Sequence, residues 1–253
     1  MHSHDWGCPA AYLFRNNVGF TLLETILALS LSAMIVGLSF KLYLLHFKDL
    51  TQVSEQLSIQ ENTEMTLTAL KNEIKQAGYI GCAKLSEGFP VFSNTAYTIS
   101  RNNQLVFTDH SLISRHADLS HNTVLANMET RDAVISENNV LFKPGEVLII
   151  SDCQKAEIFT VDHLSAHRDY QIITPVQPFH FLFNRNAEIS QLVINYLFVN
   201  QDHLILENIA HRQFKIAEWI HVIHFDLSQP WITVTLQIGK QAPYTTRETN
   251  VIF

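Results

Sequence analysis

Residues 20–40 decide most of what this chain can become. The run GFTLLETILALSLSAMIVGLSF, Gly19 to Phe40, holds a single ionisable side chain, Glu24, near its start. About 20 apolar residues rising ~1.5 Å each cross a hydrocarbon core of ~30 Å, so the run predicts a transmembrane helix. A secretory signal is its rival, but the small-residue cleavage site that would follow is missing: Ser39, Phe40, Lys41, Leu42 and Tyr43 stand there instead. Charge does not orient the span, because Arg15 before it is matched by Lys41 and Lys48 after it.

The 253 residues accommodate an anchor plus one globular domain. Hydrophobic residues make up 47% and charged residues only 16%, and the apolar excess sits in the N-terminal block, which is an anchored protein's distribution. A net charge of -7 leaves no basic stripe to follow a nucleic-acid backbone, so direct nucleic-acid binding is not expected. The 13 histidines are scattered, with His2 and His4 ahead of the membrane block, and form no pH-sensing cluster.

From Leu38 to Ala77 there is neither glycine nor proline, so the helix is expected to run on into a polar second half and stop at Gly78. There Leu50, Val53, Leu57, Leu67, Leu70, Ile74 and Ala77 recur at helical spacing and predict a face resting on a separate globular unit, because isolated helicity does not suffice in water. Beyond about residue 90 the texture turns to short β-rich runs: 104–107, 147–150, 158–161, 171–174, 191–199, 203–206, 219–226 and 231–238. They predict one antiparallel sheet domain, with a hairpin around Asn200 to Asp202.

The string Gly19-Phe20-Thr21-Leu22-Leu23-Glu24, followed at once by an apolar helix, resembles the processing site of type IV pilins. A second stretch, Ala77, Gly78, Tyr79, Gly81 and Cys82 at the end of the long helix, is similar to PilW-like minor pilins, with Lys75 where an arginine is often found. The segment FKPGEVLIISDCQKAEIF, Phe142 to Phe159, looks like that family's central strand pair. The resemblance implies an α+β, type IV pilin-like fold, a long N-terminal helix packed on an antiparallel sheet. Residues 1–19 would be a leader peptide, 20–40 the transmembrane half of the helix, 41–78 its amphipathic half, and 79–253 a periplasmic β-rich domain.

Several roles follow from the resemblance. A prepilin peptidase at the inner membrane would cut between Gly19 and Phe20 and methylate the new terminus at Phe20. Glu24 would meet the N-terminal amine of an adjacent subunit and set the stagger of bundled helices, since a carboxylate in hydrocarbon costs about 2.5 to 3.5 kcal/mol and needs a partner. The alternative is that Glu24 snorkels to the headgroups. Other minor pilins and the major pilin would be its partners, with the domain in the periplasm and later in the pilus. Loss of the leader removes Cys8 and leaves Cys82 and Cys153 to form a disulfide, with two free thiols as the alternative.

Enzymatic readings find little support. His163 and His167 stand at i,i+4 but among expected strands and turns, without an adjacent general base. Asp152 beside Cys153 suggests an activated thiol only if no disulfide consumes the sulfur. There is no G-x-S-x-G elbow or phosphate-binding glycine loop. No catalytic residue, metal or cofactor is expected. The aromatic PFHFLFNR, Pro178 to Arg185, reads as a partly buried loop or subunit contact, with a binding lip as the alternative. The rival families are a minor pseudopilin of a type II secretion system and a membrane-anchored periplasmic binding protein or adhesin.

Overall fold

The structure is a computed structural model and describes residues 21–108, 110–228, 231–239 and 245–252. The expected leader, Cys8, Gly19 and Phe20 lie outside the described residues. Two compact units divide the chain, one ending at Gln56 and the other running from Leu57. The fold is α+β: one long N-terminal apolar helix and antiparallel β-sheets.

Helix α1 spans Leu22–Gln76. It ends as a glycine-terminated helix should. Gly78 takes φ +75°, a left-handed conformation that only glycine adopts freely, and Tyr79 N donates to Gln76 O at 2.9 Å. Lys75 sits in the last turn, where a cation meets the negative end of the helix dipole.

In the second unit one large sheet contains β1 (Val91–Ser93), β2 (Leu105–Thr108), β3 (Ser111–Thr123), β4 (Val134–Glu137), β5 (Val147–Ser151), β6 (Ala156–Ala166), β7 (Tyr170–Pro175), β8 (Glu188–Asn200), β9 (His203–Asn208) and β10 (Gln213–Glu218). A second sheet contains β11 (Ile220–Ser228), β12 (Trp231–Ile238) and β13 (Thr245–Ile252). The expectation of a single antiparallel sheet is therefore corrected to two. Strand β1 pairs with β6 in parallel.

Strand β8 is the spine of the large sheet. One edge pairs with β3, from Ser111↔Phe198 to Thr123↔Glu188. The other is shared end to end by β5, from Leu148↔Gln191, and β9, from Asn195↔Asn208. The hairpin expected at Asn200 to Asp202 joins β8 to β9, with Gln201 and Asp202 both at positive φ. Alternation then sorts side chains to two faces. Leu148 and Ile150 of β5 join Phe159 and Val161 of β6 in one cluster, while Ile149 and Ile158 join Ile80, Leu85, Ile99 and Leu192 in another.

A third cluster holds Leu70 and Ile74 of α1 against Leu112, Leu197 and Leu204 of the large sheet and Ile223, Val234 and Leu236 of the small one. The helix face differs from the expected stripe. Leu50, Val53 and Leu57 are exposed, and the buried positions are Thr63, Thr66, Leu70, Glu73 and Ile74, with Ala77 beyond the helix end.

Candidate assembly site

The expected site residues fall in both units, and each unit has its own chemistry. In the first, Thr21 and Glu24 form a capping box. Glu24 N donates to Thr21 Oγ1 at 3.3 Å, and Thr21 N donates back to Glu24 Oε2 at 3.4 Å. This satisfies two amides that a helix start leaves open. The carboxylate thus has a local partner that reading Glu24 as an isolated anion overlooked, although T-x-x-E ahead of an apolar run is the signature of such a box.

Further along, the polar side chains turn inward on the backbone. Thr25 Oγ1 donates to Leu22 O at 2.8 Å, Ser30 Oγ to Leu27 O at 2.9 Å and Thr51 Oγ1 to Lys48 O at 2.7 Å. Bonds such as those of Thr25 and Ser30 are what a helix in hydrocarbon would require of its polar groups. Around them, every residue from 21 to 54 is exposed. The helix has a mean hydropathy of 1.9 over its most apolar 18-residue window, none of it buried within the protein, and is long and apolar enough to cross a membrane. Such a surface is compatible with a single-pass anchor, and water alone is a poor solvent for it.

In the second unit the chain leaving α1 is tied to the large sheet. Gly78 N donates to Arg115 O at 2.9 Å and Ala117 N to Tyr79 O at 2.7 Å, joining residues 78–79 to β3 by backbone. Cys82 and Cys153 form a disulfide, Cα–Cα 5.5 Å, which joins the same segment to the turn after β5. Asp152 does not activate the sulfur. Its Oδ1 accepts Gln154 N at 3.2 Å and Lys155 N at 3.1 Å, closing the turn in which Cys153 takes φ 65°.

Beside this junction, α1 buries a carboxylate that the apolar stripe did not reveal. Glu73 Oε1 accepts Asn195 Nδ2 of β8 at 2.8 Å, and Ser114 Oγ of β3 donates to Oε2. His116 Nε2, also on β3, lies 3.7 Å from Oε2, an ion-pair distance longer than a hydrogen bond. Its Nδ1 is 3.0 Å from the Ala117 carbonyl, which can only accept, so Nδ1 carries a proton. Burial pushes the Glu73 carboxyl up. The nearby His116 imidazole and the bonds from Ser114 and Asn195 outweigh it and hold the group below its usual range. The sequence signal was an acid three residues after Leu70 and one before Ile74, inside the buried arc.

Comparison with protein-family models, curated proteins and solved structures finds no match.

The aromatic segment at 178–185 is a partly buried loop. Phe179 and Phe183 are buried, and His180 N and Phe181 N donate to the buried carboxylate of Glu157 on β6 at 2.7 and 3.0 Å. Asn94 Nδ2 adds a third bond to that carboxylate at 3.1 Å. Burial nonetheless dominates and raises the Glu157 pKa. His163 lies in β6 and His167 in the turn after it, stacked on Tyr170 at 4.5 Å between ring centroids, so the pair is not on a helix. Among the described residues no group of three His, Cys, Asp or Glu is placed to hold a metal ion.

Proposed function

We propose that the chain is a minor pilin of the PilW-like kind, a membrane-anchored prepilin that joins the complex initiating or capping a type IV pilus. The reading makes it an assembly subunit and not an enzyme. Its inner-membrane single-pass anchor is residues 20–40, its globular domain is periplasmic, and its partners are prepilin peptidase, the other minor pilins and the major pilin. The supporting observation is one coincidence: G-F-T-L-L-E stands immediately before an apolar helix that has no covering surface from residue 21 to residue 54. Lipid covers the part of that surface within residues 20–40 before assembly, and neighbouring helices cover it afterwards.

In this reading Glu24 serves twice. Its Oε2 closes the capping box with Thr21, while its charge attracts the amine of a neighbouring subunit's Phe20. At ~4 Å and an effective dielectric near 20 such a pair is worth about 4 kcal/mol before desolvation is subtracted. Head-to-tail contacts of this type are heterologous and extend helically.

Mass spectrometry of the exported protein tests the reading. The expected mature chain begins at an N-methylated Phe20. A mature chain still carrying residues 1–19 overturns it and favours an anchored periplasmic binding protein. Genes for secretion components beside this one would favour the type II pseudopilin instead.

A further inference from the structure

The chain carries 24 acidic against 17 basic side chains, so a cleft that concentrates unpaired cations stands out against the rest of the molecule. Such a cleft, of about 490 Å³, opens where three turns meet β8. Lys143 and Arg212 are exposed on its lining, and among the described residues neither side chain has a hydrogen-bond or ion-pair partner. Gln191 of β8, Asn208 and Tyr97 complete the polar wall. A second cavity, of about 440 Å³, also has a cation, Arg101, but Glu87 pairs with it at 3.0 Å.

Each turn is held by its own hydrogen bonds. Asn208 Oδ1 accepts both Ala210 N at 3.1 Å and Arg212 N at 3.0 Å, which leaves its amide NH2 as a donor. Lys143 N donates to Glu146 Oε2 at 3.1 Å, and Glu146 N to Lys143 O at the same distance, around Gly145 at φ +85°. Glu146, the one acid on the lining, is thereby engaged with the turn's own backbone. Ser93 Oγ donates to Tyr97 O at 2.6 Å, and Tyr97 N donates to Thr95 Oγ1 at 3.0 Å. Backbone fixed in this way loses little entropy when a ligand arrives.

The volume lies within the range of about 300 to 1,000 Å³ used by ligand sites. A lone phosphate would leave most of that volume to water. A strand-adding peptide needs a free sheet edge, and β8 already pairs with β5 at Leu148↔Gln191. Two cations, two amides and a phenol, spread over three turns and β8, suit a ligand with repeated carboxylates and many hydroxyls. We propose that this cleft binds an acidic sugar chain of the uronate class, with Lys143 and Arg212 on its carboxylates and Gln191, Asn208 and Tyr97 on its hydroxyls. The proposal stands whether or not the chain joins a filament.

Isothermal titration calorimetry on the full-length chain in detergent micelles tests it, with tetragalacturonate as the probe. Saturable binding is expected, weakened about tenfold or more by the double variant Lys143→Gln/Arg212→Gln and several-fold by Tyr97→Ala. Removing the same charge elsewhere, by Arg168→Gln/Arg185→Gln, should leave affinity unchanged. Neutral maltotetraose is expected to bind at least tenfold more weakly. Absence of tetragalacturonate binding overturns the proposal, as does equal affinity in the Lys143/Arg212 variant. Equal affinity for inorganic phosphate or tetraglutamate also overturns it, because the cleft would then read charge without the sugar.

Discussion

Glu73 of the helix and Asn195 of the sheet's central strand meet through a 2.8 Å hydrogen bond across 122 residues of sequence. Around that contact the buried carboxylate meets a serine and an imidazole of β3 and an asparagine of β8, forming a polar cluster beside Leu70 and Ile74. Glu73→Ala strands Ser114 and Asn195 as well as opening a cavity, and is expected to destabilise the domain by about 3 kcal/mol. Chemical denaturation of the two proteins side by side measures the difference; a loss below about 1 kcal/mol would remove the cluster's structural importance.

The same carboxylate sets an acid limb of stability. Its folded pKa is depressed below an unfolded value near ~4.3. Its contribution is therefore complete above the unfolded value and is lost as pH falls through the folded one. Melting temperatures recorded downward from about pH 5 should decline less steeply in Glu73→Gln than in the parent.

Glu157 works in the opposite sense. Burial raises its folded pKa, so the folded state holds this proton more tightly than the unfolded chain does. Stability from this group is present below the unfolded value and declines as pH rises through the folded one. Glu157→Gln should abolish that decline on the neutral side. An unchanged pH profile in the variant would mean that His180 N, Phe181 N and Asn94 already offset the burial.

The disulfide spans 71 residues, and closing so long a loop contributes roughly 4 kcal/mol in the chain-entropy model. Cys82→Ser/Cys153→Ser is expected to lose most of that, measured by urea unfolding of oxidised parent and variant. Thiol labelling of the unreduced parent should find neither sulfur reactive.

Gly78→Ala tests the helix terminus. A Cβ there would lie 1.8 Å from Gln104 Oε1, on a backbone at φ +75°. A loss of about 1 to 2 kcal/mol is expected, because the left-handed backbone disfavours a Cβ and the end of the Gln104 side chain must move aside for it. A stability equal to the parent's would show that the segment rearranges freely.

Capping and charge at Glu24 are separable. Gln keeps an acceptor for Thr21 N but carries no charge, while Thr21→Ala removes one cap bond, worth about 1 kcal/mol, and leaves the charge. If the proposed filament pairing holds, Glu24→Gln and Glu24→Ala should both reduce surface pili, and Thr21→Ala should do so far less. Normal piliation in Glu24→Gln would assign the residue to capping alone.

Strands with alternating or continuous apolar residues were legible before folding was considered, and β5, β8, β9, β11 and β12 lie close to where the pattern put them. Strand β3 was not, although it pairs with β8 along ten registered positions. Its sequence, SLISRHADLSHNT, buries Ser111, Ser114, His116 and Asn122, so no alternation of apolar and polar residues marks it. β13, TTRETNVI, and the short β1 and β4 escaped for a related reason, since too few apolar side chains stand in them to set a period. The Lys143–Arg212 cleft left no local trace, because its residues are drawn from four separate segments.

What the amino-acid order determined by itself was local: a long apolar helix, its capping box and its glycine stop, each dictated by contacts within a few residues. Which helical face is buried was decided elsewhere. Leu50 and Ile74 obey the same period, yet Leu50 is exposed and Ile74 is buried against strands, and Glu73 is tolerated there because Ser114, His116 and Asn195 arrive from distant strands to solvate it. Burial is a property of what comes to lie opposite a side chain, and periodicity alone does not contain that.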